Sequence, residues 1–525
     1  MLIRKITAEI KTLFSFETEP VIDTASNTLK IYCSHKQTPL VCDWLFNEKE
    51  YHFAGLIVEE NALLELYYLF VGEGEKGFVN VITADELNTQ NFESVSLRVH
   101  AVDWYEREAE DLYGVHFKNH PRLGDFILHD DVWQEGINPM RKSFDKDKTL
   151  FNRKPRQYYR PRKIVEEEGS FIMPIGPIFS AEAESVHLQL ETIGEEIIRA
   201  FPRLFYKYRG IEKIAEGKSI ENVLLLSERT AGTTAFSHAL GFCLAVEKLS
   251  NETVPKKAQV LRVFFAEIER IRNHIGTIEA ICNSTGLVVA ASQVGILEEE
   301  MLRLSCILSR HRYFFGLCVV GGLSYECDKS TYKDSVEKIK NIVKELGEIE
   351  EFLINTSSFL DRLEEVGVIS AAQAKTHDLV GPMARGSGYL NDLRKFQPYL
   401  KYDKLKFDIS NETEGDGYAR LRVLFTEIRE SAKILEQVIL LMPEGEIFIK
   451  MDIKPGTALV GIEAPRGASW HRVKIGENKK LLSYRMLMPS FRNWHGFHVA
   501  MEKYAFQDLP IILATLGLSV AENDK

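Results

Sequence analysis

The apolar residues of this chain change their repeat partway along, and that change limits the folds open to it. In residues 1–140 they come in short runs rich in β-branched and aromatic side chains: Leu29 to Cys33, Phe53 to Val58, Leu63 to Val71, Phe78 to Thr83 and Val95 to Val99. Runs of that length and make-up predict strands. One amphipathic helix, marked by Ile3, Ile6, Ile10 and Leu13, precedes them. From residue 169 the spacing becomes helical. Leu261, Phe264, Ile268, Ile271, Ile275 and Ile278 make one apolar face; Val336, Ile339, Ile342 or Val343, Leu346, Ile349 and Leu353 make another. Strand signals then survive only at Val186 to Ile193 and between Ile447 and Tyr484. The fold class read from this is α+β: a small α/β domain over 1–140, then a mainly helical bundle over 169–525 with small sheets at its margins.

Residues 141–168 separate the two. Lys142, Lys146, Lys148, Arg153, Lys154, Arg156, Arg160, Arg162 and Lys163 stand there among Pro155 and Pro161. That composition favours a charged, solvated linker; a basic surface for acidic lipids or an acidic partner is the other reading.

At 525 residues the chain is long enough for two or more domains, and 45% hydrophobic content suits well-packed cores. A net charge of −11 argues against a nucleic-acid partner. The seven cysteines (Cys33, Cys42, Cys243, Cys282, Cys306, Cys318, Cys327) form no Cys-x-x-Cys pair and lie mostly in apolar surroundings, so buried free thiols in a reducing compartment are expected. No signal peptide is visible. The longest nearly uncharged stretch, Leu509 to Ala521, falls short of the ~20 residues that cross a bilayer. Work at a membrane would therefore be done as a docked peripheral subunit. Gly72-Glu73-Gly74-Glu75-Lys76-Gly77 matches the dinucleotide-binding fingerprint, but it lies between two strands and carries two glutamates that repel a pyrophosphate. A hairpin turn is expected instead.

Longer motifs carry a resemblance. Trp104-Tyr105-Glu106-Arg107-Glu108-Ala109-Glu110-Asp111-Leu112-Tyr113-Gly114 through His120-Pro121, with Asn138-Pro139-Met140-Arg141-Lys142-Ser143-Phe144, resembles the signature of the complex I 30-kDa family. That family implies a scaffolding domain without a cofactor. Glu106, Arg107, Glu108 and Asp111 are expected to form an intrahelical charge network and cap. Over 169–525 the chain is similar to the complex I 49-kDa family and to the large subunits of membrane-bound nickel–iron hydrogenases. The matching segments include Tyr208-Arg209-Gly210-Ile211-Glu212-Lys213, Glu267-Ile268-Glu269-Arg270-Ile271-Arg272-Asn273-His274, Gly381-Pro382-Met383-Ala384-Arg385-Gly386, Glu414-Gly415-Asp416 and Glu463-Ala464-Pro465-Arg466-Gly467. Fusion of both parts in one chain resembles formate-hydrogenlyase-type large subunits.

The departures bear on chemistry. Glu228-Arg229-Thr230-Ala231-Gly232-Thr233-Thr234 to His238 resembles a hydrogenase metal loop, and Thr515-Leu516-Gly517-Leu518-Ser519 to Lys525 resembles its second loop. The four cysteine positions hold Ala231, Thr234, Ser519 and Glu522. A methyl group donates nothing, and hydroxyls stay protonated near neutral pH, whereas a nickel–iron pair is seated by thiolates. Glu522 falls where the complex I family carries glutamate. Phe179 and Ala183 stand where that family's loop histidines would be and Gly232 where its quinone-binding tyrosine would be. No metal and no cofactor bound by this chain is expected.

What the resemblance leaves are proton-relay or cluster-tuning candidates: Arg209, Glu212, Glu267, Arg270, His274 and Arg466. It places Arg209 beside an iron–sulfur cluster of a small partner subunit, makes Glu212 a proton gate, and leaves Arg466 to pair with a carboxylate such as Glu522. Glu267, Arg270 and His274 follow one stripe of a helix and read either as a surface salt-bridge row or as a partly buried polar path. His238 is either part of the loop's chemistry or a satisfied core histidine. The function implied is a peripheral subunit, on the cytoplasmic face of the cell membrane, of an oxidoreductase complex with a small iron–sulfur subunit and antiporter-like membrane subunits. A non-catalytic scaffold, or a quinone reductase with a displaced quinone site, are the alternatives.

Overall fold

A computed structural model describes residues 2–23, 27–87, 91–134, 136–147, 163–164, 166, 168–179 and 184–525. Most of the charged strap (148–162, 165 and 167) and Ala183 lie outside the described residues. The chain divides into two units: Met1–Arg162 with Arg203–Phe205 and Thr376–Asp378, and the remainder.

In the first unit, α1 (Leu2–Leu13) buries Ile3, Ile6 and Ile10 and leaves Leu13 exposed. A five-stranded sheet follows, in the order β1 (Val21–Asp23), β2 (Thr28–Tyr32), β5 (Phe78–Asp85), β4 (Leu64–Val71), β3 (His52–Glu60). Within this sheet only β2 and β5 pair in parallel; Asn91–Glu93 and His116–Lys118 form a separate parallel pair. The glycine-rich segment is the β4–β5 hairpin turn, closed by Gly72 N–H donating to Gly77 O at 2.9 Å. Val95 to Val99 is not a strand. Both valines are buried, but the Val95 N–H donates to the Glu106 carboxylate at 2.8 Å, so the segment folds into a turn.

The charges of α2 (Asp103–Tyr113) do not form the expected intrahelical network. Glu106 is fully buried and accepts from Ser94 Oγ (2.6 Å), Val95 N (2.8 Å) and Tyr68 OH (3.1 Å); burial pushes its carboxyl up to about 7. Arg107 donates to Gly124 O and Asp125 O and lies over the Phe126 ring, and Asp111 accepts from the Ile127 and Leu128 N–H groups. The helix is buried along most of its length, so these groups satisfy chain segments outside it.

The second unit opens with a three-stranded sheet of β6 (Ser170–Ile175), β7 (His187–Ile193) and β8 (Glu196–Arg203), β7 in the middle. Next come α3 (Ile211–Ala215), α4 (Ile220–Glu228), α5 (Ala235–Glu247), α6 (Lys256–Ser284), α7 (Val288–Ser309), α8 (Lys329–Ile354), α9 (Gly381–Arg385) and α10 (Gly417–Leu441). An antiparallel sheet of β9 (Gly456–Ala464), β10 (Gly467–Ile475) and β11 (Leu481–Leu487) precedes α11 (Leu509–Leu516). The α6 helix runs through the core against α5, α7, α10 and α11, and its predicted apolar face is wholly buried. Because neighbours cover it on the other side as well, Glu267, Arg270 and His274 are also buried, each at most 1% exposed, and the surface-row reading fails. Cys306 is exposed, unlike Cys33, Cys42, Cys243, Cys282 and Cys318. Among the described residues no helix is long and apolar enough to cross a membrane.

Arg466 sits on the two-residue turn between β9 and β10, where Ala464 pairs with Gly467. This turn lies against the start of α9. Gly381 has φ +68°, and a Cβ there would stand 2.1 Å from Arg466 O. Gly381→Ala is therefore expected to lower stability by roughly 1–3 kcal/mol, measured as a lower denaturant midpoint.

Candidate functional site

Two loops of the second unit meet at a buried carboxylate. The first runs from the end of α4 through a 3-10 turn at Gly232–Thr234 into α5; the second leaves α11 at Gly517, whose φ of +60° turns the chain back. Glu522, 0% exposed, lies between them. Its Oε2 accepts from Ser490 Oγ (2.5 Å) and Ser490 N (3.2 Å), and its Oε1 accepts from Thr234 Oγ1 (3.3 Å) and Arg466 Nη1 (3.4 Å). His238 Nε2 is 3.1 Å from Thr234 Oγ1 and 3.7 Å from Glu522 Oε1. Burial alone would raise the Glu522 carboxyl; Arg466, His238 and Ser490 outweigh that and hold it at about 2.

Two guanidinium groups tie the loops together. Arg466 donates to Thr233 Oγ1 of the first loop and, through Nε, to Gly517 O of the second, besides reaching Glu522. Arg209 donates to Arg229 O (2.6 Å) and Thr230 O (2.8 Å) on one side, and to Ala521 O (2.6 Å) and Asp524 O (2.7 Å) on the other. The planar fork of Arg suits this multiple donation. Burial lowers the Arg209 pKa, with Asp524 and Glu184 opposing. Beside this clamp Glu212 accepts from Met486 N at 2.8 Å; Lys525 Nζ lies 3.0 Å and Arg485 Nη1 3.7 Å from its carboxylate.

Ala231, Thr234, Ser519 and Glu522 are thus brought together, and each is buried. They offer a methyl group, two hydroxyls and a carboxylate, and the last three are engaged: Ser519 Oγ accepts from Glu522 N at 3.3 Å. This donor set does not fit a thiolate-seated metal pair. Of the positions compared with a quinone site, Phe179 packs over Gly176 and Gly232 is exposed, while Ala183 lies outside the described residues.

The polar stripe of α6 forms a second cluster. Glu267 accepts from Arg394 (3.1 Å), Tyr402 OH (2.5 Å) and Ser431 Oγ (2.6 Å), and its carboxylate lies 3.4 Å from Arg270 Nε. His274 Nε2 contacts Glu427 at 2.8 Å. Arg385 links Glu427 (2.6 Å) to Glu463 (3.0 Å). Arg270 donates to Glu463 O and Ala464 O, the residues just before the Arg466 turn. The two clusters therefore share one strand end.

Compared with known proteins, residues 31–150 match the family described as respiratory-chain NADH dehydrogenase, 30 Kd subunit, and residues 296–453 match the 49 Kd subunit family. The chain is 30% identical over 369 residues to a D-type NADH-quinone oxidoreductase subunit of Solibacter usitatus, covering 70% of this chain and 100% of that one. The chain belongs to the complex I 30-kDa and 49-kDa subunit family. It is also 29% identical over 458 residues to formate hydrogenlyase subunit 5 of Escherichia coli, covering 86% of this chain and 80% of that one. The C/D-type NADH-quinone oxidoreductase subunit of Bdellovibrio bacteriovorus is 31% identical over 357 residues, or 66% of this chain and 62% of that one. The order of the two parts, 30-kDa type then 49-kDa type, is the one the motifs suggested.

Sequence reasoning missed Ser490, Asp392, Arg394 and Glu427, which come from segments that no local pattern connects to the loops; Thr233 stands in the first loop but was given no role. Arg385 and Glu463 had a signal, since both stand in matched motifs.

Glu522 is held at about 2 in the folded chain against 4.5 ordinarily, so its stabilisation is complete above about pH 4.5 and lost as pH falls toward 2. Acid unfolding of E522Q should lack this component. Arg466→Met should cost about 3 kcal/mol in chemical denaturation, because it strands a buried carboxylate.

Proposed function

We propose that this chain is a peripheral subunit of a membrane-associated respiratory oxidoreductase complex and works without a nickel–iron centre of its own. Electrons would arrive at an iron–sulfur cluster of a small partner subunit, and the response of this chain would be carried by protons and side-chain pairing toward ion-translocating, antiporter-like membrane subunits. Family membership supports the assembly. The observation that carries the rest is the Arg466–Glu522 contact, which engages the carboxylate between the loops with a cation from the chain itself.

Chemically, a cluster that gains an electron adds negative charge near the Arg209 clamp. A fixed cation beside it favours reduction. Glu212 lies on the same clamp through Lys525 and is the candidate relay group there. Arg466 then connects the loops to the β9–β10 turn, and through Glu463 and Arg270 to the buried stripe of α6. A local change of charge thus has a continuous polar route into the helical core.

The scaffold reading is favoured by one observation: Glu212 is already paired with Lys525 and Arg485 and held by the Met486 N–H, a satisfied arrangement that needs no turnover. Electron-donor-dependent turnover by the purified complex decides between them. In E212Q it should fall by about 10²-fold or more; unchanged turnover supports the scaffold. Elemental analysis of the complex should find far less than one nickel per copy of this chain.

A further inference from the structure

The buried cluster around α6 holds one more carboxyl than guanidinium. Its carboxyls, among the described residues, are Glu267, Asp392, Glu427 and Glu463, and its guanidiniums are Arg270, Arg385 and Arg394; each is under 4% exposed. Burial would push all four carboxyls up, but Glu267, Asp392 and Glu427 are pulled below their ordinary values, chiefly by Arg394, Arg394 and Arg385 respectively. His274 is kept low by burial, against the pull of Glu427, and so stays neutral. Three anions then match three cations.

Glu463 is the fourth. It shares Arg385 with Glu427, whose contact is shorter (2.6 against 3.0 Å), and the same Arg385 nitrogen lies 3.8 Å from Asp392. Its other oxygen accepts only a backbone N–H, from Leu393 at 3.1 Å. An unmatched negative charge in such an interior is costly, and a proton removes that cost. Burial and the Asp392 charge push this carboxyl up to about 7, against Arg385, Arg270 and Arg394. The buried nitrogens of the cluster that lack a hydrogen-bond partner include Arg385 Nη2 and His274 Nδ1. With Nε2 of His274 donating to Glu427, Nδ1 offers a free lone pair.

We propose that Glu463 is the proton-carrying residue of this subunit, holding the one exchangeable proton of the buried cluster and loading it during coupling. When the O–H bond of Glu463 breaks, Nδ1 of His274, the buried base of the cluster that lacks a hydrogen-bond partner, takes the proton and the ring becomes imidazolium beside Glu427. Arg385 then shifts its pairing from Glu427 toward the new Glu463 carboxylate. Arg466 lies three residues further along the chain, on the β9–β10 turn, and feels the change. The proton inventory stands on the cluster geometry; only its part in coupling rests on the function proposed above.

Infrared difference spectroscopy of the full chain between pH 5 and 9 tests this, with E463Q, E463D and E427Q compared by circular dichroism for folding. A protonated-carboxyl band titrating near neutral pH should be present in the parent chain, absent from E463Q and displaced in E463D. In E427Q, where Arg385 is left to Glu463, the midpoint should drop by about one pH unit or more. A band that persists in E463Q, or a midpoint unmoved in E427Q, overturns the proposal. Turnover of the E463Q complex should also lose its dependence on pH near 7; a parental pH profile overturns the loading role. The E212Q result reads the wider function independently.

Discussion

A carboxylate sealed between two loops needs a cation close to it, and Arg466 supplies that charge to Glu522. The contact is 3.4 Å long, and the same guanidinium bonds both loops. Without it, a fully buried anion would keep only the hydroxyls of Ser490 and Thr234, the Ser490 N–H and the more distant His238. The hydroxyl and amide donors do not offset the desolvation of a full charge. Arg209 repeats the arrangement on the outer side with four carbonyls. The two loops therefore close through hydrogen bonds from side chains of the chain itself.

The same economy governs the helical core. Charged groups on α6 are tolerated because partners arrive from α10, the segment before Tyr402 and the end of β9. Such networks contribute less to net stability than to fixing one arrangement of the helices. Their reach matters for function, since Arg270 grips the carbonyls that lead into the Arg466 turn. Gly381 and Gly467 make that junction possible by letting the backbones of α9 and the turn approach closely.

Much of this was legible in the residues. The 3.6-residue repeat of Leu261 to Ile278 gave the central helix, and the β-branched runs of the first unit gave four of the five strands of its larger sheet to within two residues. Val95 to Val99 misled because its buried valines look like a strand, whereas a carboxylate from α2 takes the N–H a ladder would need. Strands β6 and β8 were missed; in β6 Pro174 and mixed exposure blur the alternation. Arg466 pairing with Glu522 could be anticipated from residue type once the loops were aligned. The depth of Glu267, Arg270 and His274 could not, because a stripe of charges gives no sign of what covers it. Asp392, Arg394 and Glu427 reach them from about 120 to 160 residues away in sequence.

Hydrogen exchange of the loop amides, above all those of Ser519 and Glu522, reads the central claim directly. If guanidinium groups close the loops, a metal chelator should leave protection of these amides unchanged in the parent chain, while Arg466→Met should release it. Loss of protection on chelation alone, with Arg466→Met protected as before, would contradict the account.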